Sequence, residues 1–335
     1  MILVTGGTGL VGAHLLYKLI TQKENVRALY RSESKLANTK HVFSCYTKDY
    51  ETLFNSIDWV KADILDVPAL SEAFNQVTKV YHCAAFVSFE PDKYQLLRKT
   101  NIDGTANIVN IAISKKIDKL CYVSSIATLG DNLNHKPITE ETNWNPEADN
   151  NVYAITKYGA EMEIWRGTQE GLNAVVVNPG VILGAGIWHY GTGSLFKKAH
   201  KGLKYYTQGT VALIAVEDVV AIMIELMHNN ISNERFVLVA ENWTYKRFLQ
   251  ALSKSVKTKP PIKLASINLL DIAWRLDWLK HKITRKRRLL TRHLVKSLTS
   301  ETNYNSGKIK TAINHEFKAI NKTITKVGHL YLKQD

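Results

Sequence analysis

The sequence is poor in cysteine, and the three it has are placed for neither disulfides nor metal. Cys45, Cys83 and Cys121 make an odd number, no Cys-x-x-Cys occurs, and Cys83 and Cys121 lie inside apolar stretches. That excludes a disulfide framework and a zinc site as working readings, and leaves small core residues in a reducing compartment. The eleven histidines include no His-Glu-x-x-His, so no metal is expected. No apolar run is long enough to cross a bilayer. Met1-Ile2-Leu3-Val4-Thr5 lacks the basic start and small-residue cleavage site of a signal peptide and reads as a strand, which predicts a cytoplasmic protein. Repeats and low-complexity linkers are missing as well.

Acidic residues are scarce in one place. Residues 1–250 hold 25 Lys+Arg and 25 Asp+Glu, whereas residues 251–335 hold 19 and 5, so the whole net charge of +14 belongs to the last quarter. A break of this kind points to a separate task for that segment. What remains is ordinary for a globular chain: 335 residues, 45% of them apolar, enough for a nucleotide-binding core with a smaller lobe.

The pattern along the chain alternates strand and helix. Met1–Thr5 is a strand, Gly6–Gly12 a turn, His14–Leu19 a helix, and Val26–Tyr30 a second strand. Further strands end near Asp63 and run over Lys79–Cys83, Lys119–Ser124 and Ala174–Asn178, with helices over Pro68–Asn75, Asn101–Lys115 and Val152–Gln169 between them. This predicts an α/β fold, a Rossmann-like doubly wound parallel sheet covered on both faces. Beyond Gly180 the pattern loosens. Val211–Ile214 and Phe236–Val239 read as strands around a helix at Asp218–Met227, and the tail is mainly helical. The expected layout is a dinucleotide-binding domain of residues 1–180 and about 208–240. A smaller helical substrate lobe then takes about 181–207 and 241–335.

Gly6-Gly7-Thr8-Gly9-Leu10-Val11-Gly12 sits between a strand and a helix. Glycines there permit positive φ and close approach of a pyrophosphate, and the helix start offers N–H groups and a positive dipole end. The second strand ends in Tyr30-Arg31-Ser32, with no acid at its tip to bind a ribose 2′-hydroxyl. An arginine in that position clamps a 2′-phosphate, which favours NADP(H), with NAD(H) as the alternative.

Tyr153-Ala154-Ile155-Thr156-Lys157 puts a phenol and an ammonium on one helix face. A neighbouring ammonium would lower the phenol from its ordinary pKa of about 10 and make it a usable acid or base. The pair follows Tyr122-Val123-Ser124-Ser125, a strand ending in two hydroxyls. The combination is more specific than either part.

With these residues in view, the chain resembles an extended short-chain dehydrogenase/reductase of the NAD-dependent epimerase/dehydratase superfamily, from Met1 to about Ala240 and more weakly beyond. Thr5–Gly12 matches its glycine motif and Asp63-Ile64 its adenine-contacting acid. His82-Cys83-Ala84-Ala85 matches the segment under the nicotinamide ribose, and Asn101–Thr105 the helix with a structural asparagine. Asn178-Pro179-Gly180 matches the loop beside the nicotinamide. The resemblance implies that Tyr153 exchanges the substrate proton, that Lys157 holds the ribose, that Ser125 rather than Ser124 bonds the substrate oxygen, and that Asn101 supports the lysine through water. It also implies a homodimer through the helices near Asn101 and Tyr153. Val175–Gly184 looks like the dihydroflavonol reductase-like and hydroxysteroid dehydrogenase-like branches, and Ile126-Ala127 replaces the acids of dehydratases. Reversible carbonyl reduction is therefore expected. A nucleotide-sugar epimerase with tightly bound NAD, or a catalytically silent regulatory protein, are the alternatives.

The substrate, anionic or apolar, is expected to meet Ser88, Phe89, Ser125 and the Gly186–Gly193 loop, with Trp188 and Tyr190 as a wall. Asp63 and Asp66 also suit the cap of the helix near Pro68. In the tail, Leu269, Ile272, Leu276 and Leu279 recur at helical spacing, followed by the basic run Lys280–Arg288. The plainest reading is a lobe helix packed on the core with a solvated charged end. A positive lid for an anionic substrate and a peripheral membrane contact are the others. No nucleic-acid motif accompanies the bases, so nucleic acid is not an expected partner.

Overall fold

The computed structural model describes residues 1–130, 136–285, 288 and 290–334. Lys286 and Arg287 of the basic run lie outside the described residues. In chain order the strands are β1 (Ile2–Thr5), β2 (Val26–Tyr30), β3 (Asp58–Lys61), β4 (Lys79–His82), β5 (Lys119–Val123), β6 (Ala174–Pro179) and β7 (Val181–Leu183). They continue with β8 (Tyr205–Tyr206), β9 (Thr210–Ala215), β10 (Glu234–Leu238), β11 (Glu241–Thr244) and β12 (Lys263–Leu264). The main sheet has the order β10-β6-β5-β4-β1-β2-β3, with every neighbouring pair parallel. The chain starts in the centre, winds one way to β3, then crosses to β4 and winds the other way. That reversal leaves a crevice beyond the carboxyl ends of β1 and β4, where such sheets bind nucleotides.

Side-chain alternation explains the two covered faces. Ile2, Val4, Tyr81, Cys121, Val175 and Val177 join one buried cluster, which includes the helix Leu10–Thr21 and the helix Val216–His228. Leu3, Val80, Leu120, Tyr122 and Val176, each one residue out of phase, join the other with the helices Val67–Ala73, Gly104–Ser114 and Val152–Gln169. Period-two alternation sends consecutive residues to opposite layers, so strands this short must be apolar throughout.

Two expectations change. The strand around Val211–Ile214 is not part of the main sheet. As β9 it lies between β7, parallel, and β11, antiparallel, in a separate three-stranded sheet. Gly180 permits this arrangement, because a Cβ there would stand 2.6 Å from the Ala212 carbonyl oxygen. The helix expected from Asn101 starts earlier, with an α-turn over Tyr94–Arg98, and passes through a π-turn over Lys99–Asp103 before its longer α-helical part. Such turns insert a residue into the ladder and re-aim a side chain, here Asn101.

The tail is helical, as its periodicity requires. The helix Ile320–Leu332 packs beside Tyr245–Ser255, and both contribute to a third cluster with Trp188, Phe196 and Trp243. The helix Ile267–Thr284 is different: of its residues only Leu270 is buried.

Candidate active site at the sheet's carboxyl edge

The glycine turn is built by close approach. Gly6 has φ +69°, and a Cβ on it would stand 2.6 Å from the Ala84 nitrogen beyond β4. A Cβ on Gly12 would stand 2.2 Å from the Gly6 carbonyl oxygen. Thus the β1 turn, the β4 turn and the first helical turn share a space that side chains would fill. Gly9 caps the Leu10–Thr21 helix without a side-chain hydrogen bond, and its first turn carries no acid. The N–H groups of that turn therefore face the crevice as an anion cradle, and the residues present fit a dinucleotide pyrophosphate. Thr5 Oγ1 accepts from the Ala84 N–H (3.2 Å) and lies 2.7 Å from His82 Nδ1, while His82 Nε2 lies 3.0 Å from Thr105 Oγ1. Burial, helped by the Lys157 charge, holds His82 down to about 3, so it is a neutral strut between β1, β4 and the next helix.

Arg31 stands at the tip of β2 and pairs with Asp63 beyond β3 at 3.5 Å; Arg31 is exposed and Asp63 half-buried. Asp63 also accepts from the Leu65 N–H, and it is Asp66 that caps the next helix, accepting from the Ala69 N–H at 3.2 Å.

At the end of β5 the two hydroxyls part. Ser124 is buried and donates to Glu161 Oε2 at 2.5 Å. Ser125 caps the following turn and hydrogen-bonds the half-buried Tyr153 phenol. Tyr153 opens the Val152–Gln169 helix, whose start Asn151 caps by accepting from the Ala154 N–H. One turn on, Lys157 is buried, and its Nζ donates to Tyr122 Oη (2.6 Å) and to the Val123 carbonyl (2.8 Å). This departs from the expectation of an ammonium aimed at Tyr153. Burial raises the Tyr153 phenol above its ordinary value, and the Ser125 hydrogen bond opposes the rise. Burial lowers Lys157 to about 7, against the pull of Glu161. The lysine is held on Tyr122, beneath the site.

The model of the NAD dependent epimerase/dehydratase family matches residues 2–239. The chain belongs to that family. It is accordingly an NAD(P)-dependent oxidoreductase-type enzyme of the epimerase/dehydratase superfamily. It is 29% identical to a putative dihydroflavonol 4-reductase of Synechocystis over 278 residues, 81% of this chain and 77% of the relative. It is 27% identical to sterol demethylase protein B of Methylococcus capsulatus, over 75% of this chain and 73% of the relative. A UDP-glucose 4-epimerase from Thermotoga maritima superposes with a TM-score of 0.76 at 19% identity, covering 99% of this chain and 98% of that one. The last likeness is one of fold.

Several residues expected at this family's site are occupied elsewhere. Asn101 accepts from the Phe86 N–H (2.8 Å) and donates to the Phe86 carbonyl (3.0 Å) and to Thr156 Oγ1 (3.2 Å), so its amide clamps the segment after β4 and reaches the Tyr153 helix through Thr156. Asn178 is fully buried and donates to Ser125 O, Thr128 Oγ1 and Glu161 Oε2. Ile64 is buried against Gly104, and its carbonyl accepts from Asn107. Ser88 is buried with its hydroxyl on Glu90. Trp188 lies in the lobe core between Phe196 and Tyr331, and Tyr190 bonds Asn38 on the helix after Arg31, so neither is a wall beside Tyr153. The ring beside Tyr153 is that of Phe89, which meets it edge-on with centroids 5.5 Å apart.

Two participants escaped the sequence reading. Tyr122 was visible only as a strand residue. Glu161 stands one turn beyond Lys157, a helical spacing that was available as a signal. Fully buried, it accepts from Ser124, Thr128 and Asn178 and pairs with Arg235 at 3.2 Å, joining β5, β6, β10 and the Tyr153 helix. Among the described residues no group of histidines, cysteines and acids could hold a metal, and no helix is long and apolar enough to cross a membrane.

Proposed function

We propose that the enzyme interconverts a carbonyl and an alcohol on an apolar substrate, with NADP(H) as its nucleotide. The bound nucleotide supplies or accepts the hydride. One observation carries this reading: Ser124 is committed to Glu161 while the Ser125 and Tyr153 hydroxyls remain together at the mouth of β5. Ser125 donates to the substrate oxygen and opposes the negative charge that develops there. Tyr153 delivers a proton to that oxygen during reduction and takes one back during oxidation. A phenol raised by burial suits delivery. Lys157, poised near neutrality on Tyr122, holds the ribose and adds the charge that eases proton return. The Gly6–Gly12 turn holds the pyrophosphate, with Ala84 and Ala85 beside it. Arg31 clamps the 2′-phosphate, since a surface pair such as Arg31–Asp63, worth about 0–1 kcal/mol, yields readily to a doubly charged partner.

The apolar class rests on Phe89, exposed and edge-on to Tyr153, with Val87 exposed two residues before it. The names dihydroflavonol 4-reductase and sterol demethylase among the relatives agree with a fused-ring compound. The test is nicotinamide oxidation on a panel of carbonyl compounds, from short aldehydes to fused-ring ketones, with NADPH and NADH. Turnover of an apolar ketone with NADPH is expected. Silence with every pair, or turnover confined to short charged aldehydes, would defeat the reading.

A further inference from the structure

The helix Ile267–Thr284 carries its apolar residues on the wrong side for a lobe helix packed on a core. Leu269, Ile272, Leu276, Leu279 and Ile283 follow one another at intervals of three and four, so they form a single stripe. All five are exposed, from 43% at Leu269 to 75% at Ile283. The opposite side does the packing: Leu270 is buried in a small cluster with Ala265 and Val295, and Trp274 leans on it. On that side too, Asp277 accepts from the Leu290 N–H. Single exposed leucines need no explanation, but five in register amount to a surface. Ile262 and Leu264, shortly before the helix, are exposed as well, at 79% and 42%.

Charge says what meets this surface. Lys280 borders the stripe on one flank and Arg275 and Lys282 on the other. Trp278 is half-exposed with Lys282 Nζ 5.4 Å from its ring centroid. Of the two carboxylates of the helix, Asp277 is engaged with Leu290 and Arg288 on the packed side, and Asp271 with Trp274 Nε1 and with Arg275, whose charge it offsets, so Lys280 and Lys282 are the bases left to the flanks. A stripe of aliphatics edged by bases, in the segment that holds the chain's whole positive excess, matches an anionic bilayer surface. With its charged flanks the helix does not span; it lies in the plane of the headgroups.

The segment after the helix is also tied to the site. Just past the helix, the Arg288 N–H donates to Glu90 at 3.4 Å, and the Glu90 N–H donates to Ser88 at 3.3 Å. Between them lies Phe89, edge-on to Tyr153. We propose that this helix docks the enzyme on anionic lipid, with the mouth of the Tyr153 site held at the membrane so that an apolar substrate enters from the bilayer. The entry clause rests on the apolar substrate proposed above; the docking does not.

The test needs no turnover. The full chain is sedimented with phosphatidylcholine vesicles, with and without phosphatidylglycerol, at low and high salt. Salt-sensitive binding to the anionic vesicles is expected. Leu276→Glu with Ile283→Glu should cut that binding at least about tenfold, because two buried aliphatics become charges. Lys280→Glu with Lys282→Glu, which leaves the stripe intact, should remove its salt-sensitive part. Both pairs are exposed, and an unchanged circular dichroism spectrum with an unchanged urea midpoint would show that the fold survives. Absence of vesicle binding at low salt would overturn the proposal. So would a native dimer that the Leu276→Glu, Ile283→Glu pair splits, since the stripe would then be covered by a second copy.

Discussion

The sheet domain and the Ile267–Thr284 helix use the same residue types in opposite senses. In the domain charge is balanced, and the charged groups that matter are drawn inward: Glu161 to Arg235 and three hydroxyl or amide donors, Lys157 to Tyr122. In the helix the bases are in excess and the aliphatics face out. A buried ion must be fully partnered or it costs several kcal/mol, so the domain spends its polar groups on one another. An exposed aliphatic stripe contributes nothing to folding, so its register needs another cause.

That contrast can be attacked directly. Tyr153→Phe should lower kcat/KM about 10³-fold, with NADPH binding by fluorescence titration unchanged, because only the transferable proton is lost. Comparable turnover in the variant would remove Tyr153 from the chemistry. Glu161→Ala should cost about 3 kcal/mol in urea unfolding, since it takes the carboxylate from Arg235 and an acceptor from each of Ser124, Thr128 and Asn178. A loss as small as that of a surface residue would mean the network is not what ties β5, β6 and β10 together.

Acid should find the domain before the tail. His82 is held near 3 by burial and by Lys157; His14, held near 4 by burial, has its Nε2 3.0 Å from the Ala185 carbonyl. Both bind a proton in the unfolded chain below about 6.5 but not in the fold, so stability falls as pH drops from about 6.5 toward those values. Each contributes a slope of about 1.4 kcal/mol per pH unit there. A thermal midpoint that is flat from pH 6.5 to 4.5, or unaltered in slope by His82→Gln, would contradict it.

Smaller effects follow. Arg31→Ala should raise the KM for NADPH about tenfold and leave that for NADH alone, the loss of one charge-assisted contact. Equal effects on both would assign Arg31 to general nucleotide contact. Leu276→Ala should change unfolding free energy by less than about 0.5 kcal/mol, whereas Leu120→Ala, in the sheet core, should cost about 2–5 kcal/mol. A large cost at Leu276 would mean that the stripe packs on protein.

What could be read from the sequence was what depends on short spans. The glycine turn, the β1–helix–β2 unit and the Val152–Gln169 helix each carry their signal within a dozen or so residues. The partition of Ser124 from Ser125 has strand alternation as its physical basis. What could not be read depends on distant partners. Trp188 is apolar and loop-borne in sequence, but only the fold brings Phe196 and Tyr331 to it. Asn178 lies in the right strand, and Glu161, from another element, takes its amide. Helical spacing placed the tail aliphatics on one face without saying which way that face turns.

The native thiols open one practical route into this enzyme. Burial raises Cys45 to about 11 and Cys83 to about 12, and holds Cys121 well above its ordinary value. At neutral pH almost none of the three is thiolate, the form that reacts with alkylating reagents. The wild-type chain is therefore a silent background for maleimide chemistry. A single cysteine engineered into the outward stripe of the tail would be the one labelled position, and a polarity-sensitive dye there would report whether that face meets water, lipid or another protein chain.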